Sequence, residues 1–149
     1  MHIDADHPAL ADGRLSGRRL LVADDDAGLR GGVVELLASL ELEILEAESG
    51  PGALEVLEGA RVHAALLDLH MPGESLPGLG GLEVLTALHE AARAGGAQLP
   101  CILYSADLTP DLESRARTAG ALAVLHKPVD PAVLRREVLR ALTEGRLGA

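Results

Sequence analysis

Arg19-Leu20-Leu21-Val22-Ala23-Asp24-Asp25-Asp26 is the stretch that decides the architecture. Its apolar run is too short for a helix and stops abruptly at three adjacent carboxylates, as a buried strand does. Three later runs end the same way. Val62 to Leu67 leads into Asp68, Leu99 to Tyr104 into Ser105, and Ala121 to Leu125 toward Lys127-Pro128. In a parallel α/β sheet the C-terminal strand ends meet at one rim, where such folds build their sites. Carboxylates, a hydroxyl and an amine at one rim point to a divalent cation and a phosphoryl group.

The segments between these runs read as helices. Val33, Leu36, Leu37 and Leu40 lie at helical spacing within Leu29 to Leu40. Leu42 to Ala47 sets apolar residues among Glu41, Glu43 and Glu46, the pattern of a half-exposed edge strand. Ser49-Gly50-Pro51 opens a helix through about Leu57, with Pro in the first turn where its missing N–H costs nothing. A glycine-rich loop, Gly73 to Gly81, precedes a helix from Leu82 to Ala94. Thr109-Pro110-Asp111 supplies a cap, a first-turn Pro and an acid suited to the helix dipole, for a helix to Thr118 that stops near Gly120. Asp130-Pro131 repeats the signal for a helix ending near Thr143. Strand and helix thus alternate through five units, which implies a parallel sheet with helices on both faces.

The 149 residues suit one domain, and 48% are hydrophobic, enough for a sizeable core. That core must be aliphatic, because the chain has no Phe or Trp and a single Tyr, Tyr104. A net charge of −10 argues against a nucleic-acid surface. One cysteine, Cys101, excludes an internal disulfide and suits a reducing cytoplasmic location. No apolar stretch has the length of a membrane span. Residues 1–17, with Pro8, Gly13 and Gly17, read as a flexible N-terminal extension, 18–145 as the folded domain and 146–149 as a tail.

Crowded carboxylates repel one another, and a hard cation such as Mg²⁺ relieves that cost. Asp26 is expected to cap the following helix, while a cap does not account for Asp24 and Asp25, which are assigned to a metal. Asp68 adds a third metal-side carboxylate and a nucleophile able to form an acyl phosphate. Ser105 can donate to a phosphoryl oxygen, and Lys127 can neutralise charge there.

The ordered set resembles the receiver domain of two-component response regulators, over about Arg18 to Leu142. Leu20 to Asp26, Leu66-Leu67-Asp68-Leu69-His70-Met71-Pro72-Gly73, Ser105-Ala106 and His126-Lys127-Pro128 are similar to the family's four signatures, in order. The resemblance implies a flavodoxin-like doubly wound fold with strand order 2-1-3-4-5. It implies Asp68 as phosphoacceptor, and Mg²⁺ held by Asp25, Asp68 and the His70 main-chain carbonyl, with Asp24 acting through water. Ser105 and Lys127 would contact the phosphoryl group, and a cis peptide would precede Pro128. The donor would be a sensor histidine kinase or a histidine phosphotransfer protein, and the output a change in the last two β-α units that reaches a protein partner or a phosphorelay. Such a chain is a signalling phosphoacceptor, catalysing only its own phosphotransfer and autodephosphorylation. The segments Asp111 to Thr118 and Ala132 to Thr143 would form the contact face, including any homodimer, with Arg115, Arg117, Arg135, Arg136 and Arg140 making it locally basic.

Three positions depart from the family pattern. Glu74-Ser75-Leu76-Pro77 lengthens the loop after Pro72, beside the acceptor. Val124 occupies the switch position usually held by Tyr or Phe, with Tyr104 the one aromatic able to substitute. His70 and Asp107 take the two positions that flank the acceptor and tune dephosphorylation, where an interaction between them would restrict the attacking water. The Ser16-Gly17-Arg18-Arg19 approach resembles receivers attached to hybrid kinases, while the end at Ala149 leaves no room for a DNA-binding module and suits a single-domain regulator. Two other functions compete with a phosphorylated switch. One is a degenerate receiver that binds partners without phosphorylation. The other is a phosphatase of the haloacid-dehalogenase type, because Asp24-x-Asp26 with Ser105 and Lys127 also resembles that family's nucleophile and general acid.

Overall fold

The computed structural model describes residues 15–71, 80–95 and 98–147. Five strands and five α-helices alternate: β1 (Arg19–Ala23), α1 (Ala27–Leu36), β2 (Glu43–Ala47), α2 (Gly50–Gly59), β3 (Ala64–Asp68), α3 (Gly81–Arg93), β4 (Cys101–Ser105), α4 (Pro110–Thr118), β5 (Ala123–His126) and α5 (Pro131–Leu147). The sheet order is β2-β1-β3-β4-β5 and every pairing is parallel. This is the doubly wound order expected from the sequence. Glu43–Ala47 lies at one edge, which explains its alternation: Glu43 and Glu46 are exposed while Ala47 is buried.

The central strands β3 and β4 are buried at every residue, so their sequences are continuous apolar runs rather than alternating ones. Successive side chains still point to opposite faces. Leu20, Val22, Leu66, Ile102 and Tyr104 pack with Val33 and Leu37, and with Leu134, Val138, Ala141 and Leu142 of α5. Leu21, Ala23, Leu67 and Leu103 pack with Ala53 of α2, Val84 and Leu85 of α3, and Ala116 of α4. Cys101 belongs to this second core, and burial pushes its thiol up to about 12, which leaves it unreactive.

Capping follows the sequence closely. The side chains of Asp26, Ser49 and Thr109 accept from Leu29 N (3.0 Å), Gly52 N (3.0 Å) and Leu112 N (3.2 Å). Asp130 Oδ1 accepts from Ala132 N at 2.8 Å. Several boundaries differ from expectation. α1 stops at Leu36, and Ala38–Leu40 continues as a 3₁₀ turn, the tighter geometry with which helices often close. α5 continues to Leu147, through Gly145, because one interior glycine costs only about 1 kcal/mol and does not stop a helix. The packed fold also starts before Arg18, since Leu15 is buried in the first core and its carbonyl accepts from Arg18 N at 2.9 Å. Pro8 and Gly13 of the lead-in, the Glu74-Ser75-Leu76-Pro77 insertion and residues 148–149 lie outside the described residues.

Gly80 and Gly81 do more than lengthen a loop. A Cβ at Gly80 would collide with the Leu69 carbonyl oxygen, and one at Gly81 with the Asp68 carbonyl oxygen. The start of α3 therefore lies directly against the backbone at the end of β3, an approach that only glycine permits.

Candidate functional site

The strand ends deliver their polar groups to one rim. Asp24 follows β1; its N–H donates to Ala47 O (3.0 Å), which extends the β1–β2 ladder by one residue, and its side chain is completely buried. Asp68 and Ser105 are themselves the last residues of β3 and β4, and both are buried. Lys127 follows β5, with its N–H donating to Ser105 O at 2.9 Å and a cis peptide to Pro128. Its ammonium bridges two carboxylates, donating to Asp68 Oδ2 at 3.0 Å and Asp24 Oδ2 at 3.2 Å. Asp68 Oδ1 accepts from His70 N at 3.0 Å, so each oxygen of the carboxylate is held separately. Ser105 Oγ accepts from Asp107 N at 3.1 Å.

Asp24, Asp25 and Asp68 each offer one oxygen, all within 4.8 Å of one another. Asp25 is exposed, so the cluster opens to solvent on that side. Oxygen-only donors with an open side suit a hard divalent ion that keeps part of its water, which is the chemistry of Mg²⁺. Electrostatics fit the same group. Burial raises the pKa of Asp68, and the hydrogen bond from His70 N and the Lys127 charge do not fully offset it; the Asp24 charge raises it further. Burial also acts to raise Asp24, but bonds from the Tyr104 hydroxyl and Asp26 N, with the charge of Lys127, bring it below the ordinary value. Burial acts to lower Lys127, and its bonds and charge interactions with Asp68 and Asp24 overcome this and raise it. The pocket thus holds two buried carboxylates and one ammonium, a negative excess that a cation would neutralise.

Tyr104 is the member of the site whose place the sequence did not reveal. It lies in the first core, paired in register with Leu125, whereas Val124 packs with the second core across the sheet. It therefore does not take over the space of an aromatic at Val124. Its hydroxyl reaches the acidic cluster instead, donating to Asp24 Oδ2 at 2.5 Å. Burial, with the neighbouring Asp24 carboxylate, holds this phenol far above its ordinary pKa, so it acts as donor. The available signal was a lone phenol in an aliphatic strand, since a buried tyrosine hydroxyl normally finds a partner. The side chains of His70 and Asp107 are both exposed, and among the described residues no ion pair joins them. Asp26 serves as the α1 cap, as the sequence predicts.

Residues 20–139 match the family described as the response regulator receiver domain. The chain belongs to that family. This receiver is 33% identical over 121 residues to the sensory/regulatory protein RpfC of Xanthomonas campestris, covering 81% of this chain and 16% of that one. It is 31% identical over 121 residues to the CAI-1 autoinducer sensor kinase/phosphatase CqsS of Vibrio cholerae, covering 81% of this chain and 17% of that one. The receiver thus spans about a sixth of the length of these curated relatives. Its fold matches that of a CheY-like receiver domain protein from Methanospirillum hungatei, with a TM-score of 0.76 at 24% identity over 90% of this chain and all of that one. Membership in the receiver family supports the role of a signalling phosphoacceptor. Among the described residues no helix is long and apolar enough to cross a membrane.

Proposed function

We propose that this receiver accepts a phosphoryl group from a phosphohistidine onto Asp68, in a reaction that requires Mg²⁺. The observation that carries the reading is the convergence on Asp68 of two more carboxylates and the Lys127 ammonium, at the ends of three parallel strands. Asp25 and Asp68 would hold the ion together with the His70 carbonyl, and Asp24 would act through water. When bound, Mg²⁺ supplies positive charge that offsets the oxygens of the transferring phosphoryl group.

The chain's own groups do the rest. Asp68 is the nucleophile: a bond forms between its carboxylate oxygen and phosphorus as the P–N bond to the donor imidazole breaks, and the electron pair leaves on that nitrogen. The backbone N–H of His70 keeps one carboxylate oxygen in place. Lys127 exchanges its contact with Asp68 Oδ2 for a phosphoryl oxygen, and Asp24 keeps it at the rim meanwhile. Ser105, whose Oγ already accepts from Asp107 N, uses its hydroxyl proton to bond the phosphoryl group. The modified site biases the β4-α4 and β5-α5 units, which present the signal to a protein partner, to a phosphorelay or to a second copy through the α4 to α5 face. A sensor histidine kinase or a histidine phosphotransfer protein is the donor, in the cytoplasm. The relatives RpfC and CqsS support a place within or beside a sensory kinase, because the matching stretch is a small part of each.

Intact mass after incubation with Mg²⁺ and acetyl phosphate tests this. One phosphoryl group should be gained, and it should be absent without Mg²⁺ and in Asp68→Ala. Failure with acetyl phosphate and also with phosphorylated histidine phosphotransfer domains would replace this reading by a phosphorylation-independent binding module.

A further inference from the structure

Tyr104 touches three members of the site at once. Its hydroxyl donates to Asp24 Oδ2 at 2.5 Å. Its ring lies beneath the Lys127 ammonium, 4.5 Å from Nζ to the ring centroid, in the range of a cation–π contact. Its backbone carbonyl accepts from Leu69 N at 2.9 Å, directly after the acceptor. The residue is 1% exposed and is the only aromatic side chain in the protein, so the core does not use aromatic packing elsewhere.

The donors on Asp24 show what the hydroxyl achieves. Among the described residues, Oδ2 takes both Tyr104 Oη and Lys127 Nζ, while Oδ1 takes only Asp26 N at 2.9 Å. A carboxylate oxygen has two lone-pair sites, so Oδ2 is filled and Oδ1 keeps one free. We propose that Tyr104 is a positioning residue of the phosphoacceptor site, its hydroxyl fixing the orientation in which Asp24 meets the cation and its ring holding Lys127 at the rim. The inference rests on the proposed Mg²⁺-dependent reading of the site. Outer groups that orient a metal's ligands commonly change affinity by about tenfold or more when removed.

Two substitutions separate the two roles. Tyr104→Phe keeps the ring and removes only the hydroxyl; Tyr104→Leu removes both. Isothermal titration with MgCl₂ should show Tyr104→Phe binding about tenfold more weakly. Raising MgCl₂ should recover most of the rate of phosphoryl gain from acetyl phosphate that Tyr104→Phe loses at low MgCl₂. Tyr104→Leu should be slower even at saturation, because Lys127 has lost its platform. The hydroxyl acts through Asp24, so in an Asp24→Asn background Tyr104→Phe should change Mg²⁺ affinity by less than about twofold. Far-UV circular dichroism of each variant confirms that the fold is retained. An unchanged or tighter Mg²⁺ affinity in Tyr104→Phe, or an equal loss with and without Asp24, overturns the inference. No Mg²⁺ binding by the unsubstituted protein removes the metal reading itself, and this inference with it.

Discussion

Lys127 is the residue on which the charge balance of the site turns, because one ammonium serves two buried carboxylates. Asp68 is the less well satisfied of the two. Burial and the like charge of Asp24 raise its pKa, so its ionised form is disfavoured by the fold. An acid whose pKa is raised on folding loses stability as the pH rises from its unfolded value through its folded one. Asp68→Asn should therefore stabilise the cation-free protein at neutral pH, by on the order of 1 kcal/mol, as expected where function is kept at a cost in stability. The gain should fade as the pH falls through the folded value and Asp68 protonates in the unsubstituted protein. Thermal unfolding in EDTA measures both. A lower midpoint for Asp68→Asn would mean that the Lys127 bridge outweighs the burial and repulsion.

At the scale of elements, β1 and β3 are joined below the last backbone pair by a side chain. His63 N donates to Arg19 O, and Arg19 N donates in return to His63 Nδ1, each at 2.9 Å. The imidazole stands in for a carbonyl and must keep Nδ1 unprotonated. Burial lowers its pKa, and the charges of Arg18, Arg61 and Arg19 lower it further, from an ordinary value of 6.5. A histidine whose folded pKa is depressed contributes stability above its unfolded value and loses it as the pH falls through the folded one. The protein should thus become less stable as the pH is lowered from about 6.5. His63→Gln, which retains an acceptor but does not titrate, should show a flatter profile over that range in urea unfolding. Parallel profiles would show that His63 protonates without breaking the strand contact.

For the whole molecule, the acidic rim couples ligand binding to folding. An ion that binds only the native state, at about 100 times its Kd, adds about 2.7 kcal/mol to the unfolding free energy. Urea unfolding with and without MgCl₂ should show a shift of this size. Asp25→Asn should abolish most of it without destabilising the cation-free fold, because Asp25 is exposed. An undiminished shift in that variant would remove Asp25 from the ion's ligands. The same rim is joined to the rest of the protein by the close approach of Gly80 and Gly81 to the carbonyls of Leu69 and Asp68, which packs the start of α3 against the acceptor strand.

Sequence alone determined the five-unit parallel architecture, because short apolar runs and capping signals are local: Asp26, Ser49, Thr109 and Asp130 cap the helices that follow them. It also determined which polar groups reach the rim, since each of Asp24, Asp68, Ser105 and Lys127 stands at or just after a strand end. Helix ends were less legible, as at Leu36 and Leu147, because a 3₁₀ turn and an interior glycine differ little in energy from their alternatives. Tertiary structure alone decided how the groups pair. Nothing local links Tyr104 to Asp24, 80 residues apart, or Lys127 to Asp24, 103 residues apart. Those contacts exist because parallel strands distant in sequence lie side by side, which sets β1, β3, β4 and β5 with their ends at one rim. The same stacking put Tyr104 and Val124, on neighbouring strands, on opposite faces of the sheet, and the unbroken apolar run of β4 gave no sign of which core Tyr104 faced.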